Sequence, residues 1–388
     1  MSGEGADETD GSCRLSPAAA AAPLDSDDLL GEILLRLPPL PSSLPRVSAV
    51  SKLWGSLATS AAFHRRFRAH HRKLKLPILG LFHGYSGCIL FTSVLDPPDR
   101  IPSERFSLQI CGDESSDTWS MLGCRHGRVL VINRWRPELL VFHPVSGDRR
   151  IVHAPPEFDG NGIRIRVHGA VFCSAGDDHS SHFKVVLVGT KRGGDPAIAR
   201  VYSSETGMWG DLVSTAEPCG GSVIYLPSTL IGNALYWWLN GLPILDISTV
   251  RMRIIRAEDG GVGIGVLSYP SFHMWDLKVD CHGATEWVLR KTVNMRDIIG
   301  LSSLLNAKMV FIAGYAEDAD KVVISVPVYR ALITVQLESM KVEKYRGTIA
   351  GYSYHPFTDF FTAGTVRARG TTPAFDPHQP SSHRRCVV

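Results

Sequence analysis

The chain has 388 residues, with 41 Lys and Arg against 38 Asp and Glu, and 44% of its residues are hydrophobic. That length accommodates one large domain and a small one, with apolar material for a core in each. A formal net charge of only +3 excludes a global field drawing the chain to nucleic acid or to a membrane surface.

Eight cysteines stand at 13, 88, 111, 124, 173, 219, 281 and 386, with no C-x-x-C pair among them. This scatter fits reduced thiols in the cytoplasm or nucleus better than a disulfide framework or a structural zinc site. Residues 1–22 are rich in Gly, Ser, Ala and acids and are expected to be disordered. Glu4, Asp7, Glu8 and Asp10 occupy the place where a secretory leader would be basic. Ala18 to Ala22 is too short to span a bilayer, and no later stretch reaches about 18 uninterrupted apolar residues.

From Leu24 the pattern becomes helical. Asp25 or Ser26 can cap a helix whose first turn carries Asp27 and Asp28, where the helix dipole favours negative charge. Leu29, Ile33 and Leu37 recur at four-residue spacing beside Leu30 and Leu34, giving one broad apolar face. Pro38, Pro39 and Pro41 stop that helix. A second helix reads from Ser43 through Val50, with Leu44, Val47 and Val50 in register and Pro45 in its first turn. A third reads from Lys52 to about residue 62 and carries Leu53, Trp54 and Leu57. The apolar face is broader than so small a bundle can cover. Either the unit packs on the rest of the chain or it lends the face to a partner.

Residues 24–54, LDSDDLLGEILLRLPPLPSSLPRVSAVSKLW, resemble the F-box, in the form common among grass F-box proteins. Leu24, Leu29, Leu30, Glu32, Ile33, Leu34, Arg36, Leu37, Pro38, Lys52 and Trp54 fit the family pattern. Ser51 stands where the family often has cysteine, and Asp25 where it often has proline. The resemblance implies a non-catalytic substrate receptor of a ubiquitin ligase of the Skp1–cullin–F-box type. Leu24, Leu29, Leu30, Ile33, Leu34, Leu37, Pro38, Leu44, Val47, Val50, Leu53 and Trp54 would then form the face for a Skp1-like adaptor. Through it a cullin would be engaged. An F-box–Skp1 role outside proteolysis, and a propeller enzyme or sugar-binding module, are the alternatives.

The implied F-box covers 23–62, and a basic helix follows over 63–75, with Phe63 and Phe67 at i, i+4 amid Arg65, Arg66, Arg68, Arg72, Lys73 and Lys75. Its bland reading is an amphipathic linker with solvated charges, and no nucleic-acid contact is expected. From 76 to about 362 the pattern changes to about two dozen strand-like runs. Among them are Ile78–Phe82, Arg128–Ile132, Leu139–Phe142, Lys184–Val188, Ala234–Leu239, Met309–Ala313, Lys321–Val326 and Leu332–Leu337. Turn signals at Ser146-Gly147-Asp148, Thr206-Gly207 and Asn240-Gly241 punctuate them. Weak self-similarity at about 45 residues points to four-stranded propeller blades, about six of them, with seven or an irregular propeller left open. The same stretch is similar to the F-box-associated β domains of the plant families. The expected fold is thus a small all-α three-helix bundle followed by an all-β domain, an irregular β-propeller. Residues 363–388 read as a second disordered tail.

Trp119, Trp135, Trp209, Trp237, Trp238, Trp275 and Trp287 are expected between blades, as core. The histidines show no metal-ligand spacing. Gly260 to Gly265 lacks the strand–helix frame of a dinucleotide loop and reads as a hairpin. No cofactor, metal or catalytic group is assigned, and the residues that would bind a protein substrate are not legible.

Overall fold

A computed structural model of the chain describes residues 27–72, 76–85, 87–108, 119–133, 136–158, 165–173, 182–191, 195–218, 226–239, 251–300, 310–346 and 353–362. Leu24, the capping candidates Asp25 and Ser26, Trp135, the Asn240-Gly241 turn and both expected tails lie outside the described residues.

Four helices form a head: α1 (Asp27–Leu35), α2 (Ser43–Ser48), α3 (Lys52–Thr59) and α4 (Ala61–Arg72). The third helix ends sooner than the sequence pattern suggests. Ser60 adopts an extended backbone, and its hydroxyl accepts the Phe63 N–H at 3.1 Å, so the chain stops one helix and caps the next in a single residue. Ser51 does the same for α3, accepting the Trp54 N–H at 3.2 Å. α4 is amphipathic, with Arg65 and Arg66 exposed. Its Phe63 and Phe67 are buried with Leu30, Leu34, Leu35, Leu44 and Val47 in one cluster. Each such fully buried side chain contributes roughly 1.5–3 kcal/mol.

Beyond the head the described chain is almost entirely antiparallel sheet. β1 (Ile78–Tyr85) pairs with β2 (Cys88–Ser93). A second sheet follows as β3 (Trp119–Arg125), β4 (Arg128–Asn133), β5 (Glu138–His143) and β6 (Asp148–His153). The third holds β7 (Ile165–Phe172), β8 (Lys184–Lys191), β9 (Pro196–Ser203), β10 (Met208–Trp209) and β11 (Val213–Pro218). After a short ribbon of β12 (Thr229–Ile231) and β13 (Ala234–Tyr236) come β14 (Met252–Arg256), β15 (Val262–Ser268), β16 (Ser271–Val279) and β17 (Thr285–Asn294). The last full sheet is β18 (Phe311–Ala316), β19 (Lys321–Val326), β20 (Ala331–Gln336) and β21 (Val342–Arg346). Finally β22 (His355–Thr358) returns to pair with β1, placing His355 opposite Phe82 and Phe357 opposite Gly80.

The edge strands β22, β3 and β7 follow one another around a centre, as do β14, β18 and β22. This is a five-bladed propeller closed by a strand from the far end of the chain. The expected six blades are corrected to five. Dividing a strand count by four overcounts, because β12 and β13 are three-residue strands that, among the described residues, pair only with each other, and the blades hold three to five strands. The ribbon sits beside the fourth blade, where the Thr229 hydroxyl donates to the Ile254 carbonyl at 2.9 Å.

Between blades the core is mainly Phe, Leu, Ile and Val. Phe82, Phe91, Phe106 and Phe357 meet with Val129 and Leu140 between the first and second blades. Ile255, Phe272, Ile312, Ile324 and Val335 join the fourth to the fifth. Leu81, Phe311, Val323 and Tyr354 join the fifth back to the first. The tryptophans expected there are only partly so used. Trp119 is buried, Trp209, Trp237, Trp238 and Trp275 are half-buried, and Trp287 is exposed. Trp287 lies on β17, the outermost strand of its blade among the described residues. The glycine run is a hairpin: Gly260 takes a left-handed turn (φ +82°), and Gly263 and Gly265 lie within β15. No described helix is long and apolar enough to cross a membrane.

Candidate functional site

Two features of the described residues stand apart from the packed core: an apolar surface on the head and a polar cavity at the propeller centre.

On the head, the residues that resemble the adaptor-binding face divide in two. Leu30, Leu34, Leu44 and Val47 are buried in the head's own core, with Leu37 and Trp54 packed at its margin. Leu29, Ile33, Val50 and Leu53 face outward, exposed to 45%, 38%, 61% and 38%. Pro38 is also exposed, and Leu24 is outside the described residues. The stripe Leu29/Ile33/Leu37 expected as one face is therefore split. α1 turns Leu30 and Leu34 inward and keeps Leu29 and Ile33, its second i, i+4 pair, outward. α3, which presents Leu53, packs against α1. The head is held in place by Phe360, just beyond β22, whose ring lies 5.4 Å from Phe67 and under the Arg68 guanidinium at 5.1 Å. The Ser42 N–H also donates to Asp99 Oδ1 at 2.8 Å.

At the centre, β3, β14, β18, β22 and the residues leading into β12 enclose a cavity of about 50 Å³, lined by Arg125, Ser228, Arg253, Glu317, Asp318 and His355 among others. A second cavity of about 260 Å³ shares Pro227 and His355 with the first, and its wall includes Tyr85, Trp119, Met121, Trp237 and Ser353.

Arg125 and Glu317 form a two-pronged ion pair across the second and fifth blades, with Nε donating to Oε2 at 2.8 Å and Nη2 to Oε1. Glu317 also accepts the Leu230 N–H at 2.8 Å, tying in the ribbon. Burial works against the Arg125 charge, but Glu317 outweighs it and holds the guanidinium above its ordinary value. Arg253 is different. It is 3% exposed, its Nη2 donates to the Ala313 carbonyl at 3.1 Å, and its Nε and Nη1 have no acceptor among the described residues. Burial alone pulls that guanidinium down to about 10.

His355 is buried beside both arginines, and burial, reinforced by the fields of Arg253, Arg125 and His83, lowers it to about 3. Burial lowers His83 to about 4, and its ring lies 4.9 Å from that of Tyr354. Both imidazoles are neutral at physiological pH. The Cys124 thiol at the cavity wall is pushed up by burial. Among the described residues no group of three or more His, Cys, Asp or Glu could hold a metal ion.

The sequence reading did not single out Arg125, Arg253, Glu317 or His355. For Arg253 a signal existed: it shares a face of β14 with buried Ile255, so a charge sits on the inward phase of a strand. The Arg125–Glu317 pair spans 192 residues and leaves no local trace.

A five-bladed antiparallel propeller with a four-helix head is the class of protein these elements define. No family model matches the chain, and no curated protein matches it. Among solved structures it is similar to a functionally unknown protein from Desulfotomaculum acetoxidans, at 13% identity over 72% of this chain and all of that one, with a TM-score of 0.33. It is similar also to the Dos1 propeller, at 9% identity over 74% of each chain and a TM-score of 0.33. A third is apo AztD from Citrobacter koseri, at 12% identity over 72% of this chain and 96% of that one, with a TM-score of 0.30. The propeller assignment here rests on the sheet order and the closing strand.

Proposed function

We propose that the chain is a bridging receptor of the F-box kind: the head docks a Skp1-like adaptor and the propeller holds a protein target. The observation that carries this reading is the outward set Leu29, Ile33, Val50 and Leu53 on a head whose own core is already closed. Exposed large apolar side chains grouped on one small unit favour a protein partner over solvent. They fall within the stretch that resembles the F-box, and residue by residue they match positions implied to meet the adaptor. Through the adaptor a cullin and a ubiquitin-loaded conjugating enzyme would be recruited. The chain would then act by proximity, raising the effective concentration of a target lysine near a thioester made elsewhere. Seating the head on Phe360 supports this role, since a fixed head gives the target a fixed distance from the enzyme. The reading places the chain in the cytoplasm or nucleus, without nucleic-acid or membrane partners.

The test is affinity purification of the full chain under proteasome inhibition, beside an Ile33→Asp/Leu53→Asp variant. The wild type should bring down a Skp1-like adaptor, a cullin and ubiquitin conjugates, and the variant none of them. Equal adaptor capture by both would reject the reading. Adaptor without cullin would favour a role outside proteolysis.

A further inference from the structure

We propose that the central cavity is a binding site for a monoanion, a carboxylate carrying an apolar or aromatic body, with Arg253 as its charged anchor. The argument begins with what a buried guanidinium requires. Removed from water, an arginine charge is strongly disfavoured unless it is paired and its donors are satisfied. Arg125, on the same cavity, meets that requirement with Glu317. Arg253 is as deeply buried, yet among the described residues its only acceptor is one backbone carbonyl, and Nε and Nη1 have none. No ion pair to Arg253 forms among the described residues. The burial that lowers its affinity for a proton is opposed by no neighbouring carboxylate.

The surrounding charges set the valence of the ligand. Arg125 and Glu317 cancel each other, and Asp318 accepts the Thr358 hydroxyl at 3.2 Å and acts on Arg125. His355 and His83 are neutral above about pH 4. Summed over the lining, Arg125 and Arg253 balance Glu317 and Asp318, so the pull on an anion is local to the unpaired donors of Arg253 and leaves room for no more than a single negative charge. That suits a carboxylate, whereas a phosphate dianion would arrive with a second charge facing Glu317 and Asp318.

The adjoining cavity sets the rest. Its 260 Å³ borders the first cavity at Pro227 and His355 and has a wall of Tyr85, Trp119, Met121 and Trp237, a surface that takes an apolar or aromatic group. Two further polar groups wait there: Trp237 Nε1 and Ser353 Oγ are buried without hydrogen-bond partners. A ligand with its carboxylate at Arg253 and its body among these rings would satisfy both ends. The proposal is independent of the adaptor reading, and its assay contains no adaptor.

The experiment titrates the full chain with phenylacetate, with the neutral isostere phenylacetamide and with inorganic phosphate. Calorimetry and the indole N–H resonance of Trp237 serve as readouts. Phenylacetate should bind and move the Trp237 signal, and the amide should bind about tenfold more weakly or worse. Arg253→Met should lose phenylacetate binding by at least about tenfold, while its unliganded melting temperature equals or exceeds that of the wild type. No phenylacetate binding at millimolar concentration, or amide binding equal to acid, would overturn the proposal. So would undiminished binding by Arg253→Met. Should that variant fold poorly, Trp237→Phe reports instead, and unchanged affinity together with a silent indole resonance in the wild type rejects the site. Phosphate outcompeting phenylacetate would reject the carboxylate class.

Discussion

The ring of Phe67, in the last helix of the head, packs 5.4 Å from the ring of Phe360, which follows the strand that closes the propeller. His64 reaches the same ring at 6.2 Å, edge-on, and Arg68 lies over it. One side chain from the far end of the chain thus completes the core of the first folded unit.

Phe360→Ala should loosen that seat. Removing a buried phenylalanine costs about 3–5 kcal/mol, and here the loss falls on the junction. Scanning calorimetry should resolve a separate, earlier transition for the head, with accelerated proteolysis within residues 61–72. A single transition at the wild-type temperature would contradict this role.

The division of the head's apolar residues predicts opposite phenotypes for neighbours in sequence. Leu34→Ala should cost about 2–5 kcal/mol, because the side chain is 1% exposed within the core. Ile33→Ala, on the outward face, should cost well under half of that. Urea midpoints compare the two directly. Equal destabilisation would mean that the outward face is covered within the chain itself.

Glu317→Gln tests the ion pair at the centre. It leaves Arg125 buried beside a neutral amide, and breaking a buried pair on one side costs about 3–5 kcal/mol. The double variant Arg125→Met/Glu317→Leu should recover most of that loss, since neither charge then remains stranded. If the single variant unfolds within about 1 kcal/mol of wild type, the pair is not structural.

His83 and His355 predict an acid limit. Both are neutral in the folded chain down to about pH 4 and 3, whereas an unfolded histidine titrates near 6.5. Above pH 6.5 neither state binds the proton, and the linkage is silent. Below it the unfolded chain takes up protons that the folded one refuses, so stability falls with pH. Between pH 6.5 and 5 the loss should reach about 2 kcal/mol for each histidine. Denaturant unfolding at pH 7 and pH 5 measures it, and His355→Gln should remove about half of the difference, leaving the part due to His83. Equal stability at the two pH values would show that the imidazoles are solvated.

Much of this architecture was legible before the structure because it is local. The spacing of Leu30 and Leu34, the prolines after Leu37 and the Gly147 and Gly207 turns each announce their element within a few residues. The runs at Arg128, Leu139, Lys184 and Lys321 fall within strands. Blade number was not legible, since a three-residue ribbon strand and a blade strand look alike until their partners are known. Nor was the inward turn of α1, because Leu29, Leu30, Ile33 and Leu34 form two equivalent apolar pairs and only the packing of α3 and α4 chooses between them. The central cavity was hidden for a stronger reason. Its residues come from positions 125, 253, 317 and 355 and converge only when the ring closes.

That closure has a consequence for how the chain is made. The helices of the head are synthesised before the blades, but Phe360 and strand β22 leave the ribosome only after nearly all the blades have been translated. Pairing β1 with β22 joins segments more than 270 residues apart, and contacts so distant in sequence form slowly. The nascent head therefore spends most of translation with an open core and its outward leucines uncovered. A cellular chaperone, or an early-binding partner, would meet that intermediate well before any finished propeller exists.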